Sequence, residues 1–423
     1  MMSPLKMAAQ GSGRQPSRTG SSNDLSGDPW TGVVLASIFI VAPLLSLVAF
    51  RIFDSCLVAC AGLALVPLLR QRAFGWAQMP GLFAMPLAAF IGWCAISWLW
   101  SPREATDLYK VGAVATIIVA GFILSRLIEM GLNDRWMARI GIATAAIGLL
   151  FTIDLWTEGG LRRQFGQPLG AFETYPAMHE LLFAAIPIVT AMFLSGRRGL
   201  AVTVIVASTL AIFSSSSDSA KMGLLMSAPI AVVAWRLPRI AVFLAVFVGL
   251  VFLVATPWLI DNVLDWATRL AAEFFPGSHA FEREAIYRSA AYLARDVSLF
   301  GHGAGATRLP AEVWSIAEVP EGLRGLFDHA FPHNLALQIW LELGAVGMVL
   351  SAATWIAGIL WVSRLPMPHR IAGLVILSIG MVIAQINHSL WQGWWIACLV
   401  FALAILKAEA NRSISAPRDD FRV

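Results

Sequence analysis

Charge is scarce in this chain. Asp, Glu, Lys and Arg supply 13% of its 423 residues, against 58% hydrophobic residues and a mean hydropathy of +0.72, a balance that excludes a soluble globule. Basic clusters are missing too. The net charge of +4 and the pI near 9.1 come from Lys and Arg spaced singly or in pairs between apolar runs, which argues against a nucleic-acid partner and reads as a set of topology signals. Cysteine is limited to Cys56, Cys60, Cys94 and Cys398, all inside apolar segments with no His or Asp at ligand spacing. They predict neither a zinc site nor a disulfide. Residues 1–29 are rich in Gly, Ser and Pro, carry Lys6, Arg14 and Arg18, and lack the apolar core of a signal peptide. A disordered, uncleaved, basic cytoplasmic tail is expected there.

What the chain has in abundance is apolar runs close to the roughly 20 residues that span a hydrocarbon core. Twelve candidates lie near residues 31–49, 52–69, 81–100, 108–125, 137–156, 177–195, 199–213, 217–235, 239–259, 334–361, 371–387 and 389–407. The fold expected is an all-α polytopic membrane protein of about 12 transmembrane helices. Lys and Arg gather in alternate loops: Arg70 with Arg72, Arg126 with Arg135 and Arg139, Arg197 with Arg198, Arg236 with Arg239, and Arg364 with Arg370. The positive-inside rule makes those loops cytoplasmic and, with them, both termini. The membrane domain then covers residues 30–407, followed by a cytoplasmic tail over 408–423. A long loop over 261–332, between the ninth and tenth spans, falls on the periplasmic face, and a loop of that length in a compact protein is usually functional.

The richest stretch is residues 331–347, FPHNLALQIWLELGAVG, where a short polar segment leads into an apolar helix. Asn334, Gln338 and Glu342 recur every four residues and form one polar stripe that faces protein or water, not lipid. Gly344 and Gly347 form a small-residue patch suited to close approach by a neighbouring helix. His333 stands at the head of this helix, where it either caps the segment or serves chemistry from the membrane surface. Within the long loop, residues 281–297 read as an amphipathic helix with Phe281, Ile286, Tyr287, Ala290, Leu293 and Ala294 on one side and Arg283 and Arg288 elsewhere. Residues 298–307, SLFGHGAGAT, are punctuated by Gly301, Gly303 and Gly305, a pattern without the strand and helix of a nucleotide site. A second outer loop holds Arg162 and Arg163, with His179 and Glu180 opening the next helix. Lys221 lies just inside another span and either snorkels or meets an anion.

Taken together these residues resemble the O-antigen ligase and O-antigen polymerase superfamily of bacterial envelope proteins. The PHNLALQIWLELGAVG stretch is similar to that family's His-Asn, apolar helix and Glu-x-Gly-x-x-Gly signature, matched by His333, Asn334, Glu342, Gly344 and Gly347. Arg283, Ile286 and Tyr287 followed by Leu299, Phe300, Gly301, His302 and Gly303 are similar to its arginine, Ile-Trp and Pro-Leu-Gly-x-Gly run, with Tyr287 where Trp is common. The eighth span reads SDSAKMG where the family shows Ser-Arg-Gly, so Lys221 would take the arginine's place, a point charge instead of a bidentate fork. In the second outer loop Pro176 is followed by Ala177 where the family has Asn.

The resemblance implies transfer of a glycan from a polyprenyl-diphosphate carrier to a hydroxyl acceptor at the periplasmic face of the inner membrane. The implied partners are a lipid-linked glycan donor, a glycolipid or glycan acceptor and the bilayer. Such a donor carries its own leaving group, so the reaction in principle needs no metal or cofactor, only cations for the diphosphate and a base for the hydroxyl. Arg283, Lys221, Arg288, Arg162 and Arg163 are the candidate cations, and His333 is the candidate base, an imidazole having an ordinary pKa of about 6.5. Asn334, Gln338, Glu342, Gly301 and Gly303 are expected to support them. Within the superfamily a polymerase is the alternative. A transporter is the competing class, and it would show paired halves and midplane charges.

Overall fold

The computed structural model describes residues 25–49, 51–72, 81–102, 104–166, 175–275, 279–296, 299–329 and 331–415. Among them no strand occurs, and ten helical runs are long and apolar enough to cross a membrane. The chain is an all-α polytopic membrane protein. Its helices are α1 (Pro29–Val48), α2 (Phe53–Arg70), α3 (Gly81–Ser97), α4 (Glu104–Gly131), α5 (Asp134–Trp156), α6 (Tyr175–Leu194), α7 (Arg198–Ser214), α8 (Asp218–Arg236), α9 (Pro238–Phe274), α10 (Ala280–Ala294), α11 (Leu335–Ser363), α12 (Met367–Asn387) and α13 (Gly393–Ser415). Each of the twelve apolar runs read from the sequence is helical. Two of them, α7 and α8, fall outside the ten: α7 has 17 residues, and α8 carries Asp218, Lys221 and Arg236.

Local chemistry sets the helix ends. Asp28 accepts from the Thr31 amide at 2.9 Å and Pro29 takes the first position of α1, where its missing N–H costs nothing. Asn133 caps α5 in the same way at 2.9 Å. The core lies along the lines where α4 meets α13, α5 meets α7, α8 meets α12 and α3 meets α11. Phe39, Phe53 and Phe401 meet there from α1, α2 and α13 with ring centroids 5.2 and 5.6 Å apart. The outer faces are apolar: Val202, Ile205, Val206, Phe243 and Phe247 are all exposed on α7 and α9, as contact with lipid chains demands.

Three boundaries differ from the sequence reading. Leu25 is buried and its amide donates to the Met130 carbonyl at 3.1 Å, so ordered chain begins ahead of residue 30. At the other end α13 runs on to Ser415, held past Lys407 by Asn411 on Glu129 at 3.1 Å and Arg412 on Glu409 at 2.8 Å. The stretch read as loop from residue 261 begins instead as helix, because Ile260, Leu264 and Thr268 recur every four residues and bury one face of α9 against α10. The amphipathic helix is present as α10. It buries Ile286, Tyr287, Ala290, Leu293 and Ala294, whereas Phe281 in its first turn is exposed.

Candidate functional site

Gly344 organises the region around the polar stripe. Its φ of 65° and ψ of −163° belong to a region that only glycine occupies comfortably, and they break α11 into two halves. Backbone groups orphaned by the break are bonded from outside. The amides of His302 and Gly303 donate to the carbonyls of Leu341 and Glu342 at 3.0 and 2.8 Å, and the Val346 amide donates to Leu299 at 3.1 Å. Trp93 Nε1 takes the Leu343 carbonyl at 3.0 Å. The small residue at 344 therefore admits the glycine loop, not a neighbouring helix: a Cβ on Gly344 would lie 2.4 Å from the Gly301 nitrogen, and one on Gly301 2.5 Å from the Gly344 nitrogen. Gly303, with φ 91°, passes equally close to the Ser101 backbone.

Glu342 fastens the same loop. One carboxylate oxygen accepts from Thr307 at 2.5 Å and Gln338 at 2.9 Å; the other accepts from the Gly305 amide at 2.8 Å and Trp391 Nε1 at 2.6 Å. Gln338 Oε1 in turn accepts from the Leu390 amide at 2.8 Å. Four donors on a fully buried carboxylate leave it no capacity for substrate, so the stripe builds the platform instead of reacting on it.

His333 stands above that platform. Asn334 caps α11 by accepting from Leu337 at 3.0 Å, and its amide donates to the Gln385 carbonyl at 2.9 Å, which ties the head of α11 to the end of α12. His333 itself has left-handed backbone, φ 51°, and its half-buried ring packs on Phe331 with centroids 4.1 Å apart. The Tyr287 hydroxyl from α10 lies 2.5 Å from the Ile386 carbonyl and 3.2 Å from that of His333. Burial raises the Tyr287 pKa, opposed by the Arg283 charge, so its phenol remains a proton donor.

A buried histidine pair lies beside these groups. The Tyr175 carbonyl accepts from His179 Nδ1 at 2.6 Å, which fixes the tautomer and leaves Nε2 to accept from Ser219 at 3.1 Å. His388 Nε2 approaches the same nitrogen at 3.4 Å, with its ring stacked on Trp395 and edge-on to Trp394. Burial first, then His179, and also His333 and Arg283, hold His388 well below the ordinary histidine range, against the raising effect of Gln392. His388 thus lies within electrostatic reach of both Arg283 and His333. Tyr175 extends the group to α8: its phenol bonds Ser216 and feels both Arg283 and Asp218, and Asp218 holds Lys221 at 3.4 Å.

The remaining candidate cations are engaged elsewhere. Arg288 pairs with Glu284 at 2.9 Å, with Asp261 at 3.6 Å and with Asp265, bracing α10 against α9. Burial would lower its pKa, but the Glu284 hydrogen bond and the surrounding acids outweigh that and raise it. Arg162 is buried on Asp154 at 2.6 Å, and Arg163 donates to the Thr157 carbonyl at 2.8 Å. Arg283, by contrast, has no carboxylate partner for its guanidinium among the described residues. Of the other acid–base side chains on this face, His302 packs on Trp314 and is lowered by burial, Glu180 accepts from Ser46 at 2.7 Å, and Glu173 lies outside the described residues.

Residues 182–352, from α6 to the upper part of α11, match the family described as O-antigen ligase. Over that segment the chain is similar to the O-antigen ligase superfamily. A Rickettsia felis protein named "Putative polysaccharide ligase" is 24% identical over 331 residues, covering 75% of this chain and 78% of the relative. No solved structure matches. The segment matched to the O-antigen ligase family contains Lys221, Arg283, His333 and Glu342, so the broken helix and its glycine loop both fall within it. His179 and His388 lie outside it, on its two flanks. The sequence passed over His388, although a lone histidine in the short charge-free turn between two apolar runs was a usable signal.

Proposed function

We propose that the protein transfers a glycan from a polyprenyl-diphosphate carrier to a hydroxyl acceptor at the periplasmic face of the inner membrane, as an O-antigen ligase. The observation that carries this reading is the head of the broken helix, where Tyr287 reaches the His333 carbonyl within electrostatic reach of Arg283, together with Tyr175, on which Arg283 and the Asp218 that holds Lys221 both act. The name of the Rickettsia relative favours ligase over polymerase. With both termini cytoplasmic, as the loop charges require, this end of the bundle is periplasmic.

In the proposed reaction the acceptor oxygen attacks the anomeric carbon while His333 takes its proton. The bond from that carbon to the diphosphate breaks, and its electron pair leaves with the phosphate oxygen. Arg283 and Lys221 hold the diphosphate and stabilise the charge that develops there. Because the leaving group is already good, the step requires no metal. Arg288, Arg162 and Arg163 are left out of the donor site, since their guanidiniums are committed to Glu284 and Asp265, to Asp154 and to Thr157.

The test is transfer of a lipid-linked glycan by purified protein in liposomes, with donor binding measured separately. His333→Gln should insert and bind donor but lose turnover by about 10² to 10⁴. Lys221→Arg should stay active, and Arg283→Ala should weaken donor use. Turnover by His333→Gln within a few-fold of the wild type would remove His333 as the base.

A further inference from the structure

α9 is longer than a bilayer needs. Its 37 residues extend over about 55 Å, against a hydrocarbon core of about 30 Å, so an upright helix would carry roughly 25 Å of itself out of the core on the side of His333. That upper part is not polar. Leu259, Val263, Trp266, Leu270 and Phe274 are all exposed, and at about 100° per residue they fall within about 80° of the helix circumference. Beside this apolar stripe Ile260, Leu264 and Thr268 are buried, against α10. The remaining side carries Asp261, Asp265 and Arg269.

A fixed break separates the two parts of α9. Val251–Ala255 form a π-helical turn and Pro257 follows it, both common causes of a helix kink. Pro257 has no N–H to give the Leu253 carbonyl four residues earlier, and Trp340 Nε1 of α11 donates to that carbonyl instead at 3.1 Å. The Trp340 ring also meets Trp258 edge-on with centroids 5.4 Å apart, and Arg295 Nε donates to the Pro257 carbonyl at 2.9 Å. The course of the upper part is thus set by α11 and by Arg295 at the end of α10.

We propose that the upper part of α9, Thr256–Phe274, lies in the headgroup boundary of the leaflet beside His333, with its apolar stripe in lipid. Three observations select a bilayer as the occupant. The stripe continues the lipid-facing side of the lower part, since the exposed residues Phe247, Val254, Trp258, Trp266, Leu270 and Phe274 follow one another in steps of one or two helical turns. Trp258 and Trp266 each combine an apolar ring with an N–H, the chemistry suited to that boundary. Asp261 and Asp265 are taken by Arg295 and Arg288, which directs those carboxylates toward α10 and away from the stripe. The same ion pairs fasten α10 to α9, and α10 carries Arg283 and Tyr287. On the donor reading proposed above, the lipid contact of α9 therefore sets the depth at which Arg283 meets a diphosphate.

The experiment uses the full chain in nanodiscs of phosphatidylethanolamine and phosphatidylglycerol, with one spin label at a time on Trp266→Cys, Leu270→Cys, Phe274→Cys or Arg269→Cys. The unmodified chain gives the background from Cys56, Cys60, Cys94 and Cys398. Labels at 266, 270 and 274 are expected to be relaxed more by oxygen, which dissolves in lipid, than by a water-soluble nickel chelate, and the order should reverse at 269. Nickel reaching the three stripe positions as freely as 269 would put the stripe in water and overturn the proposal. Little access for either reagent would mean that protein, a partner or a second copy, covers the stripe, and would overturn it as well. For the depth role, Trp266→Glu combined with Leu270→Glu should raise the KM for lipid-linked donor about threefold to tenfold and leave kcat within about twofold, because charge lifts the stripe out of lipid. An unchanged KM would overturn that role. A wild-type protein that turns over no lipid-linked donor would remove the donor reading and the depth role with it, while the labels would still decide the lipid contact.

Discussion

Tyr287 holds His333 by its backbone: the phenol of one lies 3.2 Å from the carbonyl oxygen of the other and reaches the Ile386 carbonyl at 2.5 Å. A single hydroxyl thus joins α10, the head of α11 and the end of α12. Tyr287→Phe removes that donor and leaves two buried acceptors, a loss of about 0.5 to 1.5 kcal/mol. If the bond keeps His333 in its left-handed conformation, turnover should fall about threefold to tenfold while donor binding holds. Steady-state transfer by the purified variant checks this. An unchanged turnover with a lowered melting temperature would reduce the bond to an anchor for α10.

Arg283 and Arg288 are five residues apart on one helix and should behave differently. Arg283→Ala is expected to raise the KM for donor, since a charge-assisted contact contributes about 1.5 to 3 kcal/mol. Arg288→Ala should leave that KM within about twofold and lower thermal stability slightly, because its partners are partly exposed acids on α9 and α10. Equal loss of donor affinity in the two variants would place Arg288 in the site and contradict its bracing role.

Much of this was legible in the sequence for identifiable reasons. Apolar runs near 20 residues report on burial in lipid whatever their partners are, so the ten helices long and apolar enough to span could be read from composition. The polar stripe was legible too, because three polar groups at helical spacing in an apolar segment need an internal destination. That destination was not. Glu342 was read as a supporting residue, and only the folded chain reveals that what it supports is the glycine loop, with Thr307, Gly305, Gln338 and Trp391 as its partners. Asp154, which commits Arg162, belongs to the preceding helix and carries no motif. Gly344 read as a packing glycine because helical periodicity continues straight through the break.

The break itself makes a strong prediction. Gly344→Ala forces a Cβ into a φ of 65° and to within 2.4 Å of the Gly301 nitrogen, a backbone atom that cannot turn aside. Glu342→Gln keeps the shape but sets an amide N–H against some of its four donors, costing about 1 to 3 kcal/mol. Both variants should therefore lose thermal stability, Gly344→Ala more, and both should expose residues 299–305 to proteolysis before the membrane helices melt. A Gly344→Ala protein with wild-type stability would mean that the break is not required for the fold.

The last prediction concerns acid. His388 lies in the turn between α12 and α13, and burial together with His179, His333 and Arg283 holds its folded pKa well below the usual value. The unfolded chain takes up the proton at about pH 6.5, whereas the folded chain refuses it. The unfolded state then binds more protons as the pH falls, so the stability associated with neutral His388 is fully present above about pH 6.5 and is lost below it, by at most about 1.4 kcal/mol per pH unit. His302, lowered by burial, acts with the same sign. The midpoint of thermal unfolding in detergent should be flat above about pH 7 and fall between roughly pH 6.5 and 5. His388→Gln keeps an amide that can donate to His179 but removes the titration, so it should flatten that fall and leave a residue due to His302 and the other buried histidines. An acid slope as steep in His388→Gln as in the wild type would show that His388 does not set it.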